Sequence, residues 1–164
     1  MAVYALDETA PTLSAQFHWI APSAVVLGKV VLEEDVGIWK IDPARPEAAP
    51  VLFAAADSKQ LVPDVEGLAL ATREGVSSLL VASSQGDNAY AVFDTATGTL
   101  MGRFRINGGA LDGTSETDGI ELAVGDYGSG FEQGVFIAQD GDNGGGTQNF
   151  KLVSWAAILA ALRL

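Results

Sequence analysis

The sequence predicts an all-β chain closed by one short helix, and three observations carry that expectation. Short β-branched or aromatic runs bounded by Gly, Asp, Asn and Pro recur along its whole length. Nineteen glycines are enough to place a tight turn after almost every run. Three of the runs also end alike, in carboxylate and amide side chains. These are Val30-Val31-Leu32 into Glu33-Glu34-Asp35, Leu79-Leu80-Val81-Ala82 into Ser83-Ser84-Gln85-Gly86-Asp87-Asn88, and Val135-Phe136-Ile137-Ala138 into Gln139-Asp140-Gly141-Asp142-Asn143. They return about every fifty residues, the spacing of propeller blades or solenoid repeats.

Taken in order, the strands are expected at Ala2–Leu6, Val25–Leu32, Gly37–Ile41, Leu68–Thr72, Ser78–Ser83, Ala89–Phe93, Leu100–Ile106, Ile120–Val124, Val135–Gln139 and Asn149–Val153. Pro43 to Pro50 reads as a connection rich in proline and alanine. Thr95-Ala96-Thr97-Gly98 reads as a hairpin turn with glycine at a position of positive φ. One helix is expected, from Ser154 to about Leu162: Ser154 can cap it, and Trp155, Ile158, Leu159 and Leu162 share one face. Trp39, Phe93, Phe104, Phe136 and Trp155 read as core residues. At about fifty residues per repeat, the 164 residues hold about three blades of a β-propeller, whereas a closed ring takes about four to eight. The expected architecture is therefore a single partial β-propeller domain over residues 1–164 with open outer strands.

Hydrophobic residues make up 48% of the chain and charged residues 18%, a globular composition. The net charge of −12, with only nine basic residues, argues against nucleic-acid or anionic-membrane partners and favours cations or substrates that arrive with cations. Cysteine is absent, so disulfides, zinc–thiolate sites and thiol nucleophiles are excluded. No apolar run approaches the ~18–20 residues of a membrane span. The first ten residues carry Asp7 and Glu8 and no basic stretch, which is not the pattern of a signal peptide.

The acidic strand ends suggest calcium, a hard cation that takes roughly six to eight oxygen ligands in irregular geometry. Asp112-Gly113-Thr114-Ser115-Glu116-Thr117-Asp118-Gly119 is the richest cluster, with carboxylates and hydroxyls together. It is no EF-hand, because Thr117 stands where that loop needs glycine and Ala123 where it needs glutamate; Asp140-Gly141-Asp142 fails likewise at Lys151. Taken singly, each cluster is most simply an ordinary turn. Their recurrence at one structural position points to metal instead. His18 is the only histidine, which leaves little room for a histidine-centred triad. Arg73, Arg103, Arg105 and Lys151 could meet a phosphate, although scattered basic residues usually form solvated faces.

Several of these segments together resemble the C-terminal half of the β-propeller phytases. They are Leu32-Glu33-Glu34-Asp35-Val36-Gly37-Ile38-Trp39-Lys40, Asp64-Val65-Glu66-Gly67-Leu68, Ala82-Ser83-Ser84-Gln85-Gly86, the 112–119 cluster with Ile120, Ala138-Gln139-Asp140-Gly141-Asp142-Asn143 and Gln148-Asn149-Phe150-Lys151-Leu152-Val153-Ser154-Trp155. The resemblance covers roughly residues 30 to 160 in family order. It implies a six-bladed ring that hydrolyses phytate with Ca²⁺ and a calcium-activated water. On the motif positions, Glu34, Asp64, Glu66, Gln85, Asp112 and Asp118 would hold calcium or its water, and Asp64 and Glu66 would act catalytically through it. Phytate or calcium-phytate would be the substrate, and the parent protein would be extracellular or periplasmic.

Two departures qualify that expectation. His18 stands where the family has a glutamate, and residues 18–28 hold no acid, so the stretch reads as foreign or frame-shifted. The phosphate-holding residues of the family come mainly from earlier blades, so weak calcium binding is expected of this chain more readily than turnover. Two other classes fit the composition: a non-catalytic propeller module that binds calcium or a partner through its exposed edges, and a calcium-dependent lactonase-like hydrolase. The open propeller also has edges through which it could self-associate.

Overall fold

The computed structural model describes residues 37–164 apart from 43, 46 and 73, and, within the first 36 residues, the backbone of four short strands. The chain divides into two compact units, Met1–Val36 and Gly37–Leu164. In the first, β1 (Ala2–Tyr4) pairs in parallel with β3 (Val25–Leu27), and β2 (Thr12–Leu13) with β4 (Val31–Leu32). His18, Glu33, Glu34 and Asp35 lie outside the described residues, as does the rest of the 18–28 stretch apart from β3.

The second unit consists of antiparallel sheets that follow one another in sequence. A hairpin of β5 (Gly37–Lys40) and β6 (Val51–Ala55) comes first. A meander of β7 (Val65–Ala71), β8 (Leu79–Ser84), β9 (Ala89–Asp94) and β10 (Leu100–Phe104) follows, in the spatial order of the chain. A second meander comprises β11 (Ile120–Ala123), β12 (Val135–Asp140) and β13 (Asn149–Ser154), and α1 (Trp155–Leu162) ends the chain. The all-β class with one terminal helix is as the sequence predicts, and successive meanders of this kind are consistent with part of an unclosed propeller.

Strand alternation explains why the sheets stack. Residues two apart in a strand face the same way. Leu79, Val81, Tyr90 and Val92 of the four-stranded sheet therefore share a core with Leu122, Phe136 and Ala138 of the three-stranded one and Trp155 and Ile158 of α1. Ala82, Ala91 and Phe93 turn the opposite way and share a second core with Ile38, Ala54 and Leu61. Aromatic rings tie the first core together: Tyr90 stacks on Phe104 at 5.0 Å, and Phe136 meets Tyr90 edge-on at 5.2 Å. Burying such a ring contributes about 1.5–3 kcal/mol. Ser154 caps α1 by accepting the Ala157 N–H, and Arg163 ends it in a left-handed conformation at φ 61°. Leu162 of α1 lies so close to Gly102 that a Cβ there would fall 2.8 Å from its Cδ2.

Three expectations need correction. Trp39 is 46% exposed and is not a core residue, because it faces away from Ile38, the residue β5 contributes to the core. Strand β6 was hidden in an unbroken apolar run, Val51-Leu52-Phe53-Ala54-Ala55, that shows no alternation and follows Pro50. Strand β7 begins at Val65, three residues before the expected Leu68, with an irregular register between the two. The hairpin turn is as expected: Gly98 has φ 72° and its N–H donates to the Asp94 carbonyl at 2.8 Å. Among the described residues no helix is long and apolar enough to cross a membrane.

Candidate functional site

The irregularity in β7 is the first device of the site. Val65 pairs with Ser84 and Leu68 with Ala82, so Glu66 and Gly67 together oppose Ser83 alone. Such a bulge re-aims side chains and is common beside functional sites. Gly67 allows close approach, since a Cβ there would lie 2.6 Å from the Asp118 carbonyl oxygen. Glu66 itself is exposed.

The β8–β9 connection, Gln85–Asp87 with Asn88 at φ 51°, is the second device. The Gln85 N–H donates to the Asp64 carbonyl at 2.8 Å. A Cβ on Gly86 would sit 1.5 Å from the Pro63 carbonyl oxygen, so no other residue fits without backbone movement. The Gln85 side-chain amide donates to Asp118 Oδ1 at 2.5 Å. The beginning of β7, the β8–β9 loop and the loop before β11 thus meet at one junction, which holds Asp64, Glu66, Gln85 and Asp118.

The 112–119 loop is not a free turn but is fastened from both sides. The buried Tyr90 hydroxyl lies 2.8 Å from both Thr114 Oγ1 and Thr117 Oγ1. Ser83 Oγ donates to the Thr117 carbonyl at 2.7 Å, and Asn88 Oδ1 accepts the Glu116 N–H at 2.8 Å. From β12, Gln139 Oε1 accepts the Asp118 N–H at 2.7 Å and Asp140 Oδ1 accepts the Ser115 N–H at 3.0 Å. Burial raises the Tyr90 phenol above its ordinary pKa, so it stays protonated through the neutral range.

Asp112 is drawn elsewhere. Its carboxylate takes the Lys151 ammonium at 2.6 Å, and the same ammonium stands 3.1 Å from Asp140 Oδ2. Asp140 is only 2% exposed, and its Oδ2 has no aligned hydrogen bond, so the ammonium is its charge partner. The hydrogen bond from Lys151 holds the Asp112 carboxyl below its usual range, and Asp112 in turn raises Lys151. A cavity of about 280 Å³ opens beside them, lined among others by Asn107, Asp112, Ser115, Asp140 and Asp142.

Four of the six residues expected to hold metal therefore share a junction; Asp112 sits with Lys151, and Glu34 lies outside the described residues. The donors are of the oxygen kind that calcium takes. Among the described residues, however, no three carboxylates or histidines gather around one point that could hold an ion. The described residues alone therefore do not complete a calcium site. Sequence reasoning assigned no role to Tyr90, Asn88, Gln139 or Asp140. The signals were the strand-end clusters Ser83–Asn88 and Gln139–Asn143, which hold Asn88, Gln139 and Asp140 without telling them apart from their neighbours; Tyr90 gave none. Lys151 is not a solvated cation, as it sits between two carboxylates.

The fold and site define a bladed β-protein whose strand-end loops carry oxygen donors to a common junction. Residues 13–163 match the family profile described as Phytase, and the chain belongs to that family. It is 38% identical over 136 residues to the 3-phytase of Bacillus subtilis (strain 168), covering 78% of this chain and 35% of that protein. The chain thus spans about a third of the length of that curated relative.

Proposed function

We propose that this chain serves the hydrolysis of phosphate monoesters of phytate, with Asp64, Glu66, Gln85 and Asp118 at the reacting centre. The observation that carries the reading is the junction itself: three separate backbone segments, fixed by hydrogen bonds and close glycine contacts, bring these four residues together. The family match and the 3-phytase relative supply the substrate class. Calcium is the proposed cofactor, with Glu34 and Asp112 as further ligands; when bound, it would neutralise phosphate charge and acidify water. Gln85 positions the Asp118 carboxylate, and the fastened 112–119 loop holds that carboxylate still.

The test is phosphate release from phytate by the purified chain, with and without calcium, beside the Asp118→Asn and Glu66→Gln variants. Calcium-dependent release that falls at least tenfold in both variants supports the proposal. Calcium binding without release would favour a second reading, a non-catalytic calcium-binding module. Export of the parent protein belongs to the same proposal by family resemblance. So does self-association through the edge strand β13, where Phe150 and Leu152 are exposed; sedimentation velocity over a concentration series tests it.

A further inference from the structure

At the edge of the four-stranded sheet opposite β7, two cations meet a single carboxylate. Arg103 on β10 and Arg105 just beyond it are two residues apart, so strand alternation sends both side chains the same way. Both reach Asp87. Arg103 Nη2 donates to Asp87 Oδ1 at 2.7 Å and to Oδ2 at 2.8 Å. Arg105 donates from Nη2 to Oδ2 at 2.8 Å and from Nε to the Asp87 carbonyl at 3.0 Å. Guanidinium groups stay charged at any physiological pH, so one carboxylate leaves one positive charge over. That excess stands in a chain whose net charge is −12.

The donors are not used up either. Arg103 Nε is buried without a hydrogen-bond partner, a costly state for a charged group. Next to the pair lies a cavity of about 250 Å³, lined by Ala89, Arg103, Phe104, Arg105 and Asn107. No carboxylate is among those lining residues, which include two arginines and an asparagine beside Ala89 and Phe104. A ligand that satisfies such a wall is a compact oxyanion, and arginine forks match phosphate geometry best. The position fits as well. The Gln85–Asn88 loop that carries Asp87 also carries Gln85 to Asp118, so the arginine pair and the junction are joined by one turn.

We propose that Arg103 and Arg105 form an anion subsite that takes a phosphoryl group without a metal ion, Asp87 acting as the residue that orients both forks. The choice of phosphate among oxyanions rests on the function proposed above. The phosphoryl group could belong to an ester or to released inorganic phosphate, and the two share the same recognition chemistry.

The experiment is calorimetric titration of inorganic phosphate, and separately of methyl phosphate, into the full chain in chelator. Each titration is repeated at raised sodium chloride. Saturable binding that weakens with salt is expected. In Arg105→Gln, whose removal leaves the Arg103–Asp87 pair intact, affinity falls about tenfold or more, while the melting temperature confirms the fold. Asn107→Ala, at an exposed position lining the cavity, lowers affinity by a smaller factor and serves if Arg105→Gln fails to fold. Tighter binding of methyl phosphate assigns the subsite to substrate; equal or weaker binding assigns it to product. Absence of saturable binding without calcium overturns the proposal, as does unchanged affinity in both variants. Phosphate release from phytate is a separate readout: metal-free binding with no release supports the subsite and removes the hydrolytic reading.

Discussion

Tyr90 shows how much can depend on one side chain that lies outside the acidic cluster. Its hydroxyl is the only side-chain link from the β9 core to both Thr114 and Thr117 among the described contacts. Replacing Tyr90 by Phe keeps the ring packing against Phe104 and Phe136 but strands Thr117 Oγ1, whose residue is 2% exposed. An unsatisfied buried hydroxyl costs about 1–3 kcal/mol, so Tyr90→Phe should lower the unfolding free energy measured by urea titration by that amount. It should also speed amide exchange selectively at residues 114–118, which a uniform loss of stability would not do. Asp94 gives a residue-scale prediction in pH. The Ser77 hydroxyl, then the Thr97 N–H, lowers its carboxyl to about 2. A depressed carboxyl contributes stability above its unfolded value of about 3.9 and loses it as pH falls through the folded value. Asp94→Asn should therefore melt below the parent at pH 5 to 7, and the gap should close as pH falls from about 4 to about 2. At this scale the sequence showed which side chains could donate oxygen, since strand ends announce themselves by composition. It could not show that Lys151 would take Asp112, because the two are 39 residues apart and meet only once β13 pairs with β12 and the 112–119 loop is fastened onto β12.

Individual elements were legible wherever a periodic signal met a clear stop. Helix α1 was readable to within a residue because a serine cap, a one-sided apolar face and the end of an alternating strand coincide. The cap bond is long, 3.4 Å from Ser154 Oγ to the Ala157 N–H. Of the ~0.5–2 kcal/mol that capping residues contribute, Ser154→Ala should therefore cost about 0.5 kcal/mol, measurable by thermal melting. A loss near the upper end would mean that the bond shortens in solution. Elements failed to show where periodicity was absent. Strand β6 is apolar at every position, and β7 contains a bulge that breaks the alternation at Glu66 and Gly67. The same bulge turns Gly67 against Asp118, so the residues that blurred the strand are the ones that build the junction.

The property of the whole chain with the clearest consequence is its charge. A net charge of −12 on 164 residues repels itself, and the compact state bears most of that repulsion. Sodium chloride should therefore raise the melting temperature through screening alone. Calcium makes a sharper case. If the carboxylates at the junction and beside Lys151 act only as diffuse charge, calcium chloride should stabilise the chain no more than sodium chloride of equal ionic strength. If they gather ions at defined positions, the rise in melting temperature should exceed the matched control and follow RT ln(1 + [L]/Kd), climbing with calcium concentration after screening has saturated. The excess should shrink in Asp118→Asn, where Gln85 loses its charged partner, and persist in Asp94→Asn, whose carboxylate serves Ser77 and its own turn and stands outside the junction. Equal shifts in both variants would assign the effect to bulk charge and remove the junction as a cation site.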